Sequence, residues 1–235
     1  SKSSGGNDGG TQAPAAYTCN SSPVAKGSRA FGMDILDVPT GGAYTDSLAS
    51  LKSMGGTFQT LHLYWNQIEG VGSGTTSGTF ADPYNSLVSM NSIANTQNIK
   101  LSLRIHPVDI PGKYVPSDLS GTRFNTVIMK TRAKAMIDYV FTQISKNNVN
   151  QIFLGNEIDG YNPGSDTTFW TDYPDFLNDV RTYINATYNV PVGFITTLAG
   201  VTEATKTLAG GWSSVNVFNS WMAVVDTLGV TYYPL

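Results

Sequence analysis

Apolar positions along the chain fall into two alternating patterns. Short dense runs occur at 30–36 (AFGMDIL), 57–65 (TFQTLHLYW), 100–106 (KLSLRIH), 151–157 (QIFLGNE), 190–198 (VPVGFITTL) and 229–235 (GVTYYPL). Between them lie stretches whose apolar residues recur at helical spacing, at 43–54, 84–97, 123–147, 173–188 and 214–228. In 123–147 the stripe is Met129, Ala133, Met136, Val140 and Ile144, with charges opposite it. Runs of the first kind read as strands buried on both faces, the second as amphipathic helices. Their regular alternation predicts βα units on a parallel sheet.

Connection lengths sharpen this. Helix-to-strand connections are short: GG before Thr57, NIK before Leu101, NNVN before Gln151 and NV before Pro191. Strand-to-helix connections are long, as in NQIEGVGSGTTSGTFADP, PVDIPGKYVPSDLSGT and IDGYNPGSDTTFWTD. The long loops therefore gather at the carboxyl ends of the strands, where a (β/α)-barrel builds its active site. A doubly wound open sheet gives a similar asymmetry. However, DILDVPTGGAY after the first strand has neither GxGxxG nor P-loop spacing. The fold expected is α/β, a TIM (β/α)8 barrel that is incomplete. About six βα units are present, against the eight strands and about 250 residues of a full barrel. The domain expected at 28–235 lacks the last two strands.

Composition narrows the class. The 235 residues carry a net charge of −3 and a pI near 5.2, with only 13% charged residues. That argues against nucleic acid as a partner, since such binders show a basic face. The single cysteine, Cys19, excludes an intrachain disulfide. No apolar run approaches the roughly 20 residues that span a bilayer. Residues 1–27, beginning SKSSGGNDGGTQAPAA, read as a flexible tether. Such tracts follow the lipid-modified cysteine of bacterial lipoproteins. An exported protein with a lipid anchor is therefore one reading, and an ordinary terminus or cloning scar the other. On the first, the NSS and NAT sequons at Asn20 and Asn185 are chance matches.

Parallel neighbouring strands bring their carboxyl ends together. The residues there are Asp34, Tyr64 and Trp65, Arg104 and His106, Asn156 and Glu157, Thr196, and Tyr232 and Tyr233. A carboxylate, an amide, an imidazole, a guanidinium and aromatic faces around one mouth suit a polyhydroxyl ligand. The two histidines, His62 and His106, lie on separate strands, so there is no zinc spacing, and no GxSxG elbow occurs. No cofactor is expected.

At these residues the chain resembles the clan A retaining glycoside hydrolases, which are (β/α)8 barrels. GNEI at the end of the fourth strand is similar to the clan's Asn-Glu signature, and GVTYYPL to its sixth-strand G-x-x-YYP. Both recur in the arabinogalactan endo-β-1,4-galactanases, the nearest in motifs. LYWNQIE at 63–69 resembles the second-strand W-x-x-IE, and His106 matches a third-strand histidine. The resemblance implies Glu157 as general acid/base and Asn156 as the ligand of the substrate 2-hydroxyl. It implies an oligo- or polysaccharide substrate; their place at the converging strand ends makes Trp65, Tyr232, His106, Arg104 and Asp34 candidates for further substrate contacts. The chain departs from the clan at the second-strand arginine: that region offers His62 or Tyr64, and the nearest arginine is Arg104. The clan's nucleophile is a seventh-strand glutamate, and the reading expects it beyond Leu235.

Plainer readings stand beside these. Glu157 can be a loop carboxylate, His106 a histidine bonded to a loop carbonyl, and Trp65 a cap on the barrel. Arg104 and Asp34 can pair with each other. His62, between Leu61 and Leu63, is read as facing the helices, and Asp109, Asp159 and Asp166 as solvated loop acids. Tyr232 and Tyr233 point to opposite sides, with Tyr232 taken as the cleft residue. A carbohydrate-binding or scaffold protein on a barrel fold is the alternative to an enzyme.

Overall fold

The computed structural model describes residues 30–35, 42–74, 77–164 and 166–232. The tether at 1–27, Cys19, Asn20 and the Tyr233–Pro234 part of the YYP motif lie outside the described residues. Six parallel strands form one sheet in the order β1-β2-β3-β6-β7-β8. They are β1 (Gly32–Asp34), β2 (Phe58–Tyr64), β3 (Lys100–His106), β6 (Val149–Leu154), β7 (Val192–Thr197) and β8 (Thr227–Thr231). The sheet curls into a half-barrel with helices on its convex side, an incomplete TIM barrel as expected from the sequence.

The helices are α1 (Gly42–Ser53), α2 (Trp65–Ile68), α3 (Ser86–Gln97), α4 (Val127–Gln143), α5 (Phe169–Tyr188), α6 (Leu198–Thr202) and α7 (Ser214–Trp221). Alternation along each strand decides what faces them. Leu101, Leu103 and Ile105 of β3, with Ile152, Leu154, Val192 and Phe194, join the core formed with Met129, Met136 and Val140 of α4 and Phe176 and Val180 of α5. The alternate residues line the concave side. There Thr60 pairs in register with Ser102, His62 with Arg104 and Ser102 with Gln151. Together with Phe153 and Ile195, several of these residues surround a hollow of about 260 Å³.

Several boundaries move for identifiable reasons. The helix expected at 123–147 is shorter: Thr126 caps its start by accepting from the Met129 amide, and Ile144 is already extended. Helix α5 starts before Tyr173 and runs through Pro174. Proline cannot donate to the carbonyl four residues back, that of Trp170. The Trp221 indole N–H occupies that carbonyl instead, at 3.3 Å. The last helix is replaced beyond Trp221 by a 3-10 turn (Met222–Val224), and β8 starts earlier than expected. Tyr232 consequently lies just past the strand. Sequence periodicity also missed a two-stranded antiparallel hairpin, β4 (Val108–Asp109) with β5 (Gly112–Lys113).

Candidate functional site

Strand β6 ends at Leu154, so Glu157 stands three residues past the strand rather than on it. The intervening backbone is tightly held. Gly155 donates to the Ile105 carbonyl at 2.8 Å and Asn156 to the Val108 carbonyl at 3.2 Å. The hairpin that periodicity missed therefore anchors the GNE segment. Gly155 has φ +89, and a Cβ there would come within 2.6 Å of Ile158 Cδ1 and 2.9 Å of the Tyr173 hydroxyl. Only glycine fits.

Glu157 has φ 42 and ψ 46, a left-handed conformation, and is buried at 6% exposure. For a residue with a side chain this costs on the order of 1–3 kcal/mol and persists only where the surroundings over-determine it. The bonds of Gly155 and Asn156 precede it. Behind it, the Gly160 amide donates to its carbonyl at 2.8 Å.

Beside it, Asn156 Nδ2 donates to Asp109 Oδ1 at 3.1 Å, and His106 Nδ1 lies 3.2 Å from Asp109 Oδ2. The Ile110 amide also donates to Oδ1, at 2.8 Å. Burial would raise the Asp109 carboxyl, but the bonds from His106, Asn156 and Ile110 outweigh it and hold it below the ordinary aspartate value. His106 is 1% exposed, and burial pushes its imidazole below its ordinary value against the pull of Asp109. Its Nε2 and the Asn156 Oδ1 are buried without a hydrogen-bond partner among the described residues. The Tyr64 ring lies 5.0 Å from His106 and 4.6 Å from Tyr114. Its hydroxyl is pushed up by burial and by the Asp109 charge.

The cluster continues across the sheet. The His62 ring is 5.3 Å from that of His106, and its Nε2 is 2.7 Å from Asp34 Oδ2. Arg104 Nη1 is 3.6 Å from the same oxygen, and its Nε is buried without a partner among the described residues. Burial would raise the Asp34 carboxyl, yet the bond from His62 and the nearby cations bring it below its usual value. Contacts thus run from β1 through β2 and β3 to the loop after β6.

Set against the sequence expectations, the structure brings Asn156, His106, Arg104 and Asp34 into this cluster and pairs Arg104 with Asp34. Glu157 adjoins it through Asn156. Trp65 does not join it. Its side chain is fully buried, stacked 6.4 Å from Phe176, and its indole donates to Glu69 at 2.6 Å. A tryptophan so enclosed offers no face to a sugar. Tyr232 is 67% exposed and lines another hollow, of about 630 Å³, with Thr197, Leu198, Glu203 and Thr231.

Three residues were misplaced by sequence reasoning. His62 faces the concave side, not the helices. Asp109 is buried between His106 and Asn156. Asp159 is buried too, bonded to Thr196, the Thr197 amide and Lys206. Asp166 is half-buried and accepts from the Thr168 amide before α5. Two signals were available: His106 and Asp109 stand three apart at a strand end, and Pro111-Gly112 marks a tight turn that folds the loop back. Among the described residues, no group of three or more His, Cys, Asp or Glu could hold a metal ion, and no helix is long and apolar enough to cross a membrane.

A curled parallel half-barrel with a polar cluster at the carboxyl ends of its strands defines a barrel of the TIM type. No family model and no curated protein matches the chain. Solved structures do. One is GH5_18 from Bifidobacterium longum subsp. longum, 12% identical with a TM-score of 0.51, matched over 70% of this chain and 43% of that one. Another is a hyperthermophilic β-glucosidase mutant, 11% identical with a TM-score of 0.54, matched over 82% of this chain and 56% of that one. The chain spans 36–56% of the length of the solved chains it resembles. At this identity the likeness establishes the fold alone, an incomplete TIM-type barrel.

Proposed function

We propose that the protein is a retaining glycoside hydrolase acting on an oligo- or polysaccharide, with Glu157 as general acid/base. The observation that carries this is the Asn156–Glu157 pair. It sits immediately past β6, with Glu157 buried in a left-handed conformation that the surrounding bonds impose. Backbone strain retained next to orphaned polar atoms is where active sites are found. The neighbouring glycosidase folds and the resemblance of GNEI and GVTYYPL to the clan A enzymes support the same reading. The latter favours a galactan-type substrate.

Asn156 and His106 orient sugar hydroxyls, and Arg104 with Asp34 closes one side of the site. Retaining chemistry needs a second carboxylate about 5 Å from the first. On this reading it belongs to a seventh strand beside β8. The N-terminal Ser/Gly/Pro tract supports export, with a lipid anchor as its simplest extension.

The test is kinetic. Glu157→Gln is expected to lower hydrolysis of a galactan roughly 10²–10⁴-fold, as removal of a general acid should. Activity within a few-fold of wild type rejects the assignment. Absence of hydrolysis in wild type, with polysaccharide binding retained, makes the protein a carbohydrate binder instead.

A further inference from the structure

Asp109 touches both His106 and Asn156, and its chemistry constrains them. An ionised carboxylate accepts and cannot donate. The Asn156 amide must therefore turn its NH2 toward Asp109 Oδ1, and Nδ2 stands 3.1 Å from that oxygen. His106 must likewise present Nδ1–H to Oδ2, at 3.2 Å. A neutral imidazole carries one proton, so Nε2 is then a bare acceptor. The remaining polar atom of each side chain, His106 Nε2 and Asn156 Oδ1, is then an acceptor, and both are buried without a partner among the described residues. Two buried acceptors call for donors, and sugar hydroxyls supply them.

We propose that Asp109 is a positioning residue: it fixes His106 as the Nδ1–H tautomer and fixes the orientation of the Asn156 amide. The site thereby selects ligands that donate two hydroxyl protons. The choice of sugar hydroxyls rests on the glycoside reading above; the tautomer does not.

The chain has only two histidines, so ¹⁵N-histidine labelling resolves both. At neutral pH, His106 is expected as Nδ1–H, the minor form of free imidazole; an Nε2–H signal in wild type overturns the proposal without any variant. In Asp109→Ala the preference is expected to vanish, and an unchanged tautomer overturns it as well. Asp109→Asn has one side-chain oxygen for two donors, so one partner must turn over.

The hydroxyl probe is methyl β-D-galactoside against its per-O-methyl ether, which accepts but cannot donate. The free glycoside is expected to shift the His106 Nε2 signal, the ether not. In Asp109→Asn the affinity should fall roughly tenfold or more. No shift with the glycoside, or equal shifts with both, overturns the hydroxyl assignment. If Glu157→Gln left hydrolysis intact while His106 remained Nδ1–H, the acid/base reading would fall and the positioning role would stand.

Discussion

His106 is buried at 1% exposure with Asp109 on one nitrogen, and that placement links the site to stability. Burial, with His62 and Arg104 nearby, outweighs Asp109 and sets its folded pKa below the ordinary 6.5. The fold thus favours the neutral form. Its contribution is fully present above pH 6.5 and is lost as pH falls through the region below that value. Asp109, Asp159 and Asp226 have folded values below their ordinary 3.8, so their contribution persists until pH drops beneath it. Urea midpoints measured against pH should decline in two stages, the first starting near pH 6.5. In His106→Asn, which can still donate to Asp109, the first stage should shrink; an identical decline in both proteins would refute this account. At this scale the sequence was least informative. That Asp34, Tyr64 and His106 end their strands was readable from the apolar runs, whereas Glu157 and Tyr232 lie past theirs. That Asp109 is buried was not, because loop acids are usually solvated and the hairpin that turns it inward is only two residues per strand. His62 was misassigned because Leu61 and Leu63 suggested an apolar face, whereas its register with Arg104 puts it on the concave one.

Elements are tied together here by a buried ion pair. Arg132 of α4 and Glu69, at the end of α2, are both 0% exposed, with Nε to Oε1 at 2.9 Å. Glu69 also accepts from the Trp65 indole and from the Gly78 amide at 2.9 Å. Arg132 further bonds Asp118 in the loop before α4. Breaking one partner of such a pair strands the other charge in the interior. Arg132→Ala should therefore destabilise by about 3–5 kcal/mol in urea titration. Pairing Arg132→Met with Glu69→Gln should recover part of the loss, a coupling of about 0.5–3 kcal/mol. Strict additivity of the two changes would mean that the pair is not the connector. The helical stripe of α4 was legible through Met129, Ala133, Met136 and Val140. The arginine inside it was not, since its partner is 63 residues away in the chain. Helix α2 was hidden for a different reason: four residues give no periodicity. Trp65, at its start, then looked like a mouth residue rather than the packed donor it is.

For the molecule as a whole, the parallel count of six strands was readable because strands buried on both faces leave dense apolar runs. What the sheet does at its ends follows from geometry. Among the described residues, β1 and β8 each pair on one side only. Within the curl, Arg104 Nε and Thr231 Oγ1 are buried without partners among the described residues, and Val230 of β8 is 43% exposed. Closure of a barrel removes such edges and satisfies such atoms, whereas an open edge is a template for another chain. The 235-residue chain should therefore self-associate, with a sedimentation coefficient that rises with concentration. Val230→Lys puts a charge on the outer strand, the usual protection of natural edges, while leaving the backbone ladder between β7 and β8 in place. The association should weaken in that variant. If the wild-type chain instead sediments as a monomer at all concentrations and melts cooperatively, this account of the edges is refuted. The half-barrel would then be a self-sufficient fold.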